Sequence, residues 1–543
     1  MYKFLIIAIA TLSVESLIVT INQGIIDGTH STTRSGKIFN AFYGIPFAQP
    51  PTGRLRFKSP KEAKPWKGVL NSTTPGPVCL NIPQGSTEIV GDEDCLNLNV
   101  YSPLNARQGD NLAVIVYIFG GAFKWSSNMD FGPEYLLDQN VIVVVPNYRL
   151  GALGLLSTGD TVISGNYQLK DQTMALKWVQ QNIRHFGGDP SNVALHGYSS
   201  GAACVHLHTL SPASKGLFHR VIMHSNAEAG IFYPYKLEVI RGIVKEFATK
   251  AGCPDVTTSE NIHKCLMALD GEVFPVIEQS MTVWDQEPTS VFQPSTEDKN
   301  SEEPFLTDPP SSAQYHSPSM PWIVGLTTGE GAYKAANFLQ KEGELAAEID
   351  QYYKILFPLS LAYLWNTKLS YLNFISQVLR VHYFGNRKIG AETSHEMTEL
   401  YSHGLFGVPV IRNIRSYPGP KYVYLFDYRS NYTTQNDEGY YEEFLGISHG
   451  DDVILIYYTE KSNLSLTNQD HMFSEELVKR WVNFVQTGNP NHPLEINEDL
   501  MDYWKPMISD RIEYLRINLN GSMETDLYKG TYDFWKSLPI GVV

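Results

Sequence analysis

Six short apolar runs, rich in β-branched residues and separated by segments with helical periodicity, restrict the fold of this chain more than any other feature. Such runs are typical of strands buried on both faces, as in parallel sheets covered by helices. They are Leu112–Ile118, Val141–Val145, Val193–His196, Val221–His224, Trp322–Gly325 and Tyr422–Asp427. Residues 169–186, between two runs, carry an apolar stripe at helical spacing. The alternation predicts an α/β fold with a large, mostly parallel sheet and helices on both faces.

Two stretches lack strand patterns. Residues 285–321 are rich in Pro, Ser, Thr and acidic residues, as long loops are. We interpret them as a surface loop within one domain, because the strand from Trp322 is needed to deliver an acidic residue described below. Residues 340–412 have mainly helical patterns and are expected to cover the sheet. Residues 17–543 are therefore predicted to form a single domain.

The amino terminus has the pattern of a signal peptide. Lys3 precedes an apolar run from Phe4 to Ala10, and the small Ser16 fits a cleavage site. A membrane anchor is the alternative, but the run is shorter than the roughly 20 residues that a spanning helix needs. We expect residues 1–16 to be removed and the protein to be secreted, without stable membrane insertion.

Sequons fit this expectation. Four Asn-x-Ser/Thr sites, at Asn71, Asn431, Asn463 and Asn520, are compatible with glycosylated surface loops. Each site alone is weak evidence, so we expect glycosylation without specifying which sites carry it.

The five cysteines also fit an oxidising compartment. Cys79 with Cys95 and Cys253 with Cys265 are candidate short-range pairs, and sequence alone leaves their connectivity open. Cys204 is left over. We interpret it as a small buried hydrophobic residue, since apolar burial keeps a thiol inert.

The charge balance excludes one class of partner. Lys and Arg number 42 against 57 Asp and Glu, a formal net charge of −15. A surface that follows phosphates needs the opposite excess. Nucleic acid is therefore not expected as a partner.

A candidate nucleophile follows the strand at Val193–His196. Gly197-Tyr-Ser199-Ser-Gly201 is a G-x-S-x-G pattern between a strand and a helix-forming segment. A serine at such a turn needs small residues two positions before and after it, so that strand and helix can approach. Ser199 meets this condition and Ser200 does not. The alternative is a serine-containing turn with no catalytic role. The strand–turn–helix setting makes that alternative less favoured.

The strand Leu112–Ile118 ends in the small residues Gly120, Gly121 and Ala122. Cleavage of an acyl bond creates an oxyanion that backbone N–H groups stabilise, and small side chains let the backbone come close. We predict the N–H groups of Gly121, Ala122 and Ser200 as the donors. A glycine-rich turn with a purely structural role is the alternative.

An acid and a base follow in the order that this turn requires. Glu330 lies just beyond the strand Trp322–Gly325, between two glycines, and His449 lies in a glycine-flanked loop after the strand Tyr422–Asp427. Glu330 would orient the imidazole, and His449 would deprotonate Ser199 and protonate the leaving group.

Other residues compete for these roles. His471 and His492 lie in polar, helix-flanking sequence and are weaker candidates for the base than His449. Asp451 and Asp452 are too near His449 in sequence to reach its far nitrogen easily. We interpret these two aspartates as loop charges.

With these parts placed, the chain resembles the type-B carboxylesterases of the α/β-hydrolase superfamily over nearly its whole mature length. Further stretches carry the likeness, namely Gly44-Ile-Pro-Phe-Ala-Gln-Pro-Pro, Glu93-Asp-Cys-Leu-Asn-Leu, Asn147-Tyr-Arg-Leu-Gly and Gly165-Asn-Tyr-Gln-Leu-Lys-Asp-Gln. Within the family, the chain is most similar to insect extracellular esterases of the venom and β-esterase types.

The resemblance implies an α/β-hydrolase fold and a carboxylic-ester hydrolase with a Ser-His-Glu triad. It implies neither a cofactor nor a metal, a small-molecule ester substrate, and a monomer or homodimer. It also implies disulfides Cys79–Cys95 and Cys253–Cys265, ion pairs Arg56–Glu93 and Arg149–Asp171, and Phe232 near the acyl pocket.

Three departures from the family bear on the substrate. Phe119 stands where members usually have His or Tyr, Tyr198 replaces the Glu of cholinesterases, and the loop between Cys79 and Cys95 has no aromatic residue. The last removes a cation–π platform for choline, so acetylcholine is not expected. A juvenile-hormone esterase, a neutral lipase or amidase, and a non-catalytic adhesion or binding protein on the same fold remain as alternatives.

Overall fold

The computed structural model describes residues 17–225, 236–437 and 441–540. Their strands join in one 13-stranded sheet. The strands are β1 (Leu17–Ile21), β2 (Gly24–Thr32), β3 (Ile38–Pro46), β4 (Val69–Asn71), β5 (Asn97–Pro103), β6 (Leu112–Ile118), β7 (Ile142–Pro146), β8 (Gly188–Tyr198), β9 (Arg220–His224), β10 (Trp322–Thr327), β11 (Lys421–Phe426), β12 (Glu513–Ile517) and β13 (Ser522–Thr525).

The sheet is parallel in its centre and antiparallel at its edges. Its order is β1-β2-β3-β5-β7-β6-β8-β9-β10-β11-β12-β13, with β4 beside β2. All pairs from β7 to β12 along this path are parallel. The pairs outside them on the path are antiparallel. The predicted fold class is confirmed, with the antiparallel edges as an addition.

Helices fill the crossovers between the parallel strands and extend beyond them. They are α1 (Gly151–Leu155), α2 (Tyr167–Asn182), α3 (Ser200–Leu210), α4 (Leu237–Lys250), α5 (Ser259–Leu266), α6 (Val273–Gln279), α7 (Ala332–Leu339), α8 (Glu344–Ser360), α9 (Leu369–Phe384), α10 (Ser394–Tyr401), α11 (Val408–Ser416), α12 (Glu460–Asn463), α13 (Asn468–Thr487) and α14 (Lys529–Lys536). A π-helical turn, Ser402–Gly407, joins α10 to α11.

The central strands form the core. Every residue of β7, β10 and β11 is buried, because helices cover both faces of the sheet there. The edge strand β1 instead alternates between exposed and half-buried residues along most of its length. The most buried part of the molecule therefore holds the strands whose carboxyl ends carry the candidate residues.

Residues 285–321 contain no helix or strand, as expected, but their interpretation as a surface loop is partly wrong. Residues 290–295 are all buried. Glu287 is paired with Lys334 and Glu297 with Lys170, all four side chains being almost inaccessible to solvent. The acidic residues that gave this segment its loop-like composition thus anchor it to α7 and α2.

None of the helices in the described ranges is long and apolar enough to cross a membrane.

Candidate active site

Ser199 occupies a sharp turn between β8 and α3. Its backbone has φ 56° and ψ −126°, a left-handed conformation that costs energy for a residue with a side chain. A Cβ at position 197 would lie 2.5 Å from the carbonyl oxygen of Gly201, and one at position 201 would lie 2.1 Å from that of Ile118. Glycine is therefore required on both sides of the turn, as the sequence pattern predicts.

Three side chains from different loops meet at this turn. His449 Nε2 lies 2.8 Å from Ser199 Oγ, and His449 Nδ1 lies 2.7 Å from Glu330 Oε2. Both distances are those of hydrogen bonds. Glu330 is 1% exposed and Ser199 is 7% exposed, so the chain of bonds is largely shielded from water. The structure brings together the three residues that the sequence singles out as nucleophile, acid and base.

Glu330 is fixed from two sides. Its Oε1 accepts a 2.7 Å hydrogen bond from the N–H of Thr327 at the end of β10, which leaves Oε2 for the imidazole. The N–H of the next residue, Gly331, donates to Ser402 in the π-helical turn. The carboxylate is thus held by backbone geometry rather than by a cationic partner.

The loop after β6 faces Ser199 with its backbone. Gly121, Ala122 and Phe123 all have positive φ, at 105°, 49° and 65°. The N–H of Phe123 donates to Ser200 Oγ at 3.2 Å, which ties this loop to the first residue of α3. Within the described ranges, no hydrogen bond engages the N–H groups of Gly121, Ala122 or Ser200.

The loop that carries His449 is held by Asp451. The carboxylate of Asp451 accepts the N–H groups of Ser448 and Thr434, and Thr434 Oγ1 donates to the carbonyl of His449 at 2.7 Å. Burial raises the pKa of Asp451 to about 7, although its hydrogen bonds oppose the shift. Glu330, and not Asp451 or Asp452, bonds the imidazole, as the sequence analysis expects, but both aspartates are buried and hydrogen-bonded within the fold rather than solvated.

A cavity of about 590 Å³ opens onto Ser199 and His449. Aromatic side chains, including Trp125, Phe131 and Phe406, form part of its wall. Tyr198 also lines it, and its hydroxyl donates to the carbonyl of His449 at 3.2 Å. Burial, together with the charges of Glu330 and Asp452, raises the pKa of Tyr198 well above its usual value, so its hydroxyl stays neutral. The cavity thus offers an apolar wall beside a reactive hydroxyl.

Known proteins share this architecture. A sequence model of the carboxylesterase family matches residues 15–535. The chain belongs to the carboxylesterase family. This carboxylesterase is 33% identical to Esterase E4 of Myzus persicae over 93% of its length and 92% of that protein. It is 30% identical to Venom carboxylesterase-6 of Apis mellifera over 95% of its length and 93% of that protein.

A solved structure matches the fold of this carboxylesterase. It is the crystal structure of juvenile hormone esterase from Manduca sexta with OTFP covalently attached. The two chains superpose with a TM-score of 0.84 at 28% identity, and the match covers 96% of this chain and 99% of that chain. Fold and enzyme class therefore agree between sequence, structure and relatives.

The cysteines lie as the family resemblance implies. The carboxylesterase has disulfide bonds Cys79–Cys95 and Cys253–Cys265. Cys204 is free and buried on α3, and burial raises the pKa of its thiol to about 12. The thiol therefore stays protonated and inert, as the sequence interpretation expects.

The two implied ion pairs are also present. Arg56 contacts Glu93 at 2.5 Å and Arg149 contacts Asp171 at 2.6 Å, with little solvent access to either pair. Each pair ties two segments of the carboxylesterase together. None of the four residues lies close to Ser199 in the sequence. Phe232, expected near the acyl pocket, lies outside the described residues, as does the expected signal peptide at residues 1–16.

Sequence reasoning missed His224. This residue ends β9, and its carbonyl accepts the N–H of Ser199 at 3.0 Å. A polar residue at the carboxyl end of a predicted buried strand was the available signal, because such ends carry functional residues in α/β sheets. Its side chain contacts Asp452, the second residue whose role the sequence did not reveal.

Proposed function

We propose that this carboxylesterase hydrolyses small-molecule carboxylic esters through Ser199, His449 and Glu330, with an acyl-enzyme intermediate. The observation that supports this proposal is the continuous chain of hydrogen bonds through the His449 imidazole, which lies 2.8 Å from Ser199 Oγ and 2.7 Å from Glu330 Oε2. An imidazole between a hydroxyl and a carboxylate can take the proton of the hydroxyl and hold it while charge develops.

In the first step, Ser199 Oγ attacks the ester carbonyl carbon and its proton passes to His449 Nε2. The carbonyl oxygen becomes an oxyanion, which accepts hydrogen bonds from the N–H groups of Gly121, Ala122 and Ser200. One such donor contributes about 2.7–4 kcal/mol to transition-state stabilisation. The carbon–oxygen bond to the alcohol then breaks, and His449 returns its proton to the leaving alkoxide.

In the second step, a water molecule replaces the alcohol. His449 takes one proton of that water while its oxygen attacks the acyl carbon of the Ser199 ester. The tetrahedral intermediate collapses, the proton on His449 passes to Ser199 Oγ, and the carboxylic acid leaves. Glu330 remains ionised throughout and orients the imidazole. These two steps use only residues of this chain and water.

A labelling experiment tests the nucleophile. The protein would be treated with a fluorophosphonate, digested and mapped by mass spectrometry, and Ser199→Ala would be assayed with p-nitrophenyl acetate. We expect the label on Ser199, and turnover in the variant reduced by about 10⁴-fold or more.

Ser191→Ala is the matched control, because Ser191 is an exposed serine on β8, the strand that leads to Ser199. It should keep wild-type labelling and turnover. Label on another residue, or full turnover by Ser199→Ala, would refute the proposed nucleophile.

The mature form is part of the proposal. We propose that residues 1–16 are cleaved as a signal peptide, that residues 17–543 form one domain, and that the protein is secreted. Two disulfides and four sequons support export, since both modifications belong to the secretory pathway. Expression in insect cells should yield medium-borne protein whose amino terminus is Leu17. Retention of residues 1–16 in the mature protein would contradict this.

A further inference from the structure

A second imidazole–carboxylate pair lies beneath the active site. His224 and Asp452 are 0% and 1% exposed, and His224 Nδ1 is 2.7 Å from Asp452 Oδ2. Asp452 Oδ2 also accepts a hydrogen bond from the hydroxyl of Tyr424 at 2.6 Å. We call these residues the buried His224–Asp452 pair.

The protonation of the pair follows from Trp481. Its indole Nε1 lies 3.0 Å from His224 Nε2. An indole N–H can only donate, so His224 Nε2 is the acceptor and carries no proton. The single proton of the imidazole is therefore on Nδ1, which lies 2.7 Å from Asp452 Oδ2 and 2.8 Å from the hydroxyl oxygen of Tyr424. Asp452 receives two hydrogen bonds at Oδ2, whereas its Oδ1 has no partner among the described residues.

The pair joins the two turns on which catalysis depends. The backbone carbonyl of His224 accepts the N–H of Ser199 at 3.0 Å. Asp452 lies three residues after His449 on the same loop. The contact between the two side chains therefore fixes the strand end beneath the nucleophile to the loop that carries the base.

A second contact runs beside the first. His196, on the strand that leads to Ser199, lies with Nδ1 2.8 Å from the hydroxyl of Tyr457, on the segment that follows Asp452. The rings of His196 and His224 stack with centroids 4.8 Å apart. Burial lowers the pKa of His196 well below its usual value, so this ring is neutral.

We infer that His224 and Asp452 are positioning residues for ester hydrolysis, which fix the loop of His449 relative to the turn of Ser199 and keep a buried negative charge on that loop. The inference rests on the proposed function of Ser199 and His449. It assigns Asp452 a role distinct from that of Glu330, which bonds the imidazole directly.

The charge of Asp452 is maintained by its surroundings. Burial by itself raises the pKa of Asp452, but the hydrogen bonds that its carboxylate accepts from His224 and Tyr424 favour the charged form and hold the pKa below the usual value. A buried carboxylate of this kind stabilises a positive charge on a neighbouring imidazole more strongly than a solvated one would. His449 carries such a charge after it accepts the proton of Ser199.

Asp452→Asn tests the inference, because it keeps the shape and removes the charge. We would measure turnover of p-nitrophenyl acetate per fluorophosphonate-labelled site from pH 5 to pH 9. We expect kcat to fall about tenfold to a hundredfold with little change in KM, as for small misplacements of catalytic groups. The acid limb of the pH profile should move to lower pH, because loss of a negative charge makes protonation of the base less favourable. Asp499→Asn, at an exposed carboxylate, is the control that should match wild type.

Three further variants separate positioning from folding. Tyr424→Phe removes one donor to Asp452 and no charge, and should lower kcat per labelled site by about threefold to tenfold. His224→Leu should lose activity as Asp452→Asn does. His224→Gln should restore most of that loss, because an amide can donate to Asp452 and accept from Trp481.

The outcomes are distinct. One outcome is that Asp452→Asn and Tyr424→Phe only lower the melting temperature or the labelled fraction, and keep wild-type kcat per site and the wild-type pH profile. That result would indicate a purely structural role and overturn the inference. If Asp452→Asn does not fold, wild-type kinetics in Tyr424→Phe overturn it equally. Failure of the proposed function would appear separately, as turnover that persists in Ser199→Ala.

Discussion

Glu278 on α6 is a fully buried carboxylic acid outside the active site. Its Oε2 accepts the N–H of Ala152 at the start of α1, and its Oε1 has no hydrogen-bond partner in the described ranges. Burial raises its pKa to about 7, and Lys124 and the backbone hydrogen bond of Ala152 oppose that shift only in part. The folded protein therefore binds this proton more tightly than the unfolded chain does. Stability from this group is highest at low pH and is lost as the pH rises towards 7.

Glu278→Gln should remove this pH dependence while keeping an acceptor for Ala152. In the wild type, we expect this one group to lower the free energy of unfolding by about 2–3 kcal/mol between pH 5 and pH 8. Denaturant unfolding at both pH values would measure the difference. Glu272→Gln, at an exposed carboxylate just before α6, should leave the slope unchanged. An equally steep loss of stability in Glu278→Gln would show that the proton is bound elsewhere.

At the residue scale, the sequence predicts side chains that local backbone chemistry marks. Ser199, Glu330 and His449 have glycines nearby in turns or loops that follow predicted strands, a pattern that few other roles require. His224 lacks neighbouring glycines and is marked only as a polar residue at the end of a predicted strand, and Asp452 carries no comparable local signal. Their contact joins residues 228 positions apart and depends on how β9 and the His449 loop pack, which no local pattern encodes.

At the scale of elements, the turn between β8 and α3 sets the distance of the helix from the sheet. A Cβ at position 201 would meet the carbonyl oxygens of Ile118 and Phe119 at 2.1 and 2.4 Å, so α3 would have to move. The N-terminus of α3 supplies the N–H of Ser200 to the proposed oxyanion site. Displacement of α3 therefore affects both stability and catalysis.

Gly201→Ala should destabilise the protein by about 1–3 kcal/mol through overpacking, and should lower kcat by about a hundredfold or more. Thermal melts and p-nitrophenyl acetate kinetics would measure the two effects. Gly242→Ala is the matched control, because Gly242 lies inside α4 with open space around its Cα. There alanine should stabilise by up to about 1 kcal/mol and leave kinetics unchanged. Wild-type kinetics in Gly201→Ala would contradict the tight packing of this turn.

The central strands were predictable because burial on both faces selects continuous apolar runs. Leu112–Ile118 agrees with β6 end to end, and the other five runs coincide with or overlap β7 to β11. The outer strands β1 to β5, β12 and β13 were not predicted. An edge strand with one solvated face, such as β1, carries mixed polar and apolar residues and gives a weaker pattern.

At the scale of the whole molecule, the four sequons differ in their surroundings. Asn71, Asn431 and Asn520 are exposed, whereas Asn463 is half-buried. Asn463 Oδ1 accepts a hydrogen bond from Tyr135 at 3.1 Å, and Asn431 Nδ2 donates to the carbonyl of Ser465 at 2.7 Å. A glycan attached to Nδ2 needs free space, which Asn71 and Asn520 offer most clearly.

We expect protein expressed through the secretory pathway of insect cells to carry glycans at Asn71 and Asn520 and a lower occupancy at Asn463. Enzymatic deglycosylation in heavy-oxygen water, followed by peptide mass mapping, would give the occupancy of each site. Asn71→Gln and Asn520→Gln should each remove the mass of one glycan, while Asn463→Gln should remove less on average. Full occupancy at Asn463 with none at Asn71 would contradict this ranking.

The distance along the chain between the interacting groups of the active site has a consequence for biosynthesis. Ser199 and His449 are 250 residues apart, and Glu330 and His449 are 119 apart. On the proposed mechanism, a ribosome-bound or truncated chain that ends before His449 has the proposed nucleophile without its base, and we expect it not to turn over esters. Hydrolysis begins only when strands from both halves of the sheet have assembled, which makes ester turnover a direct report of completed folding.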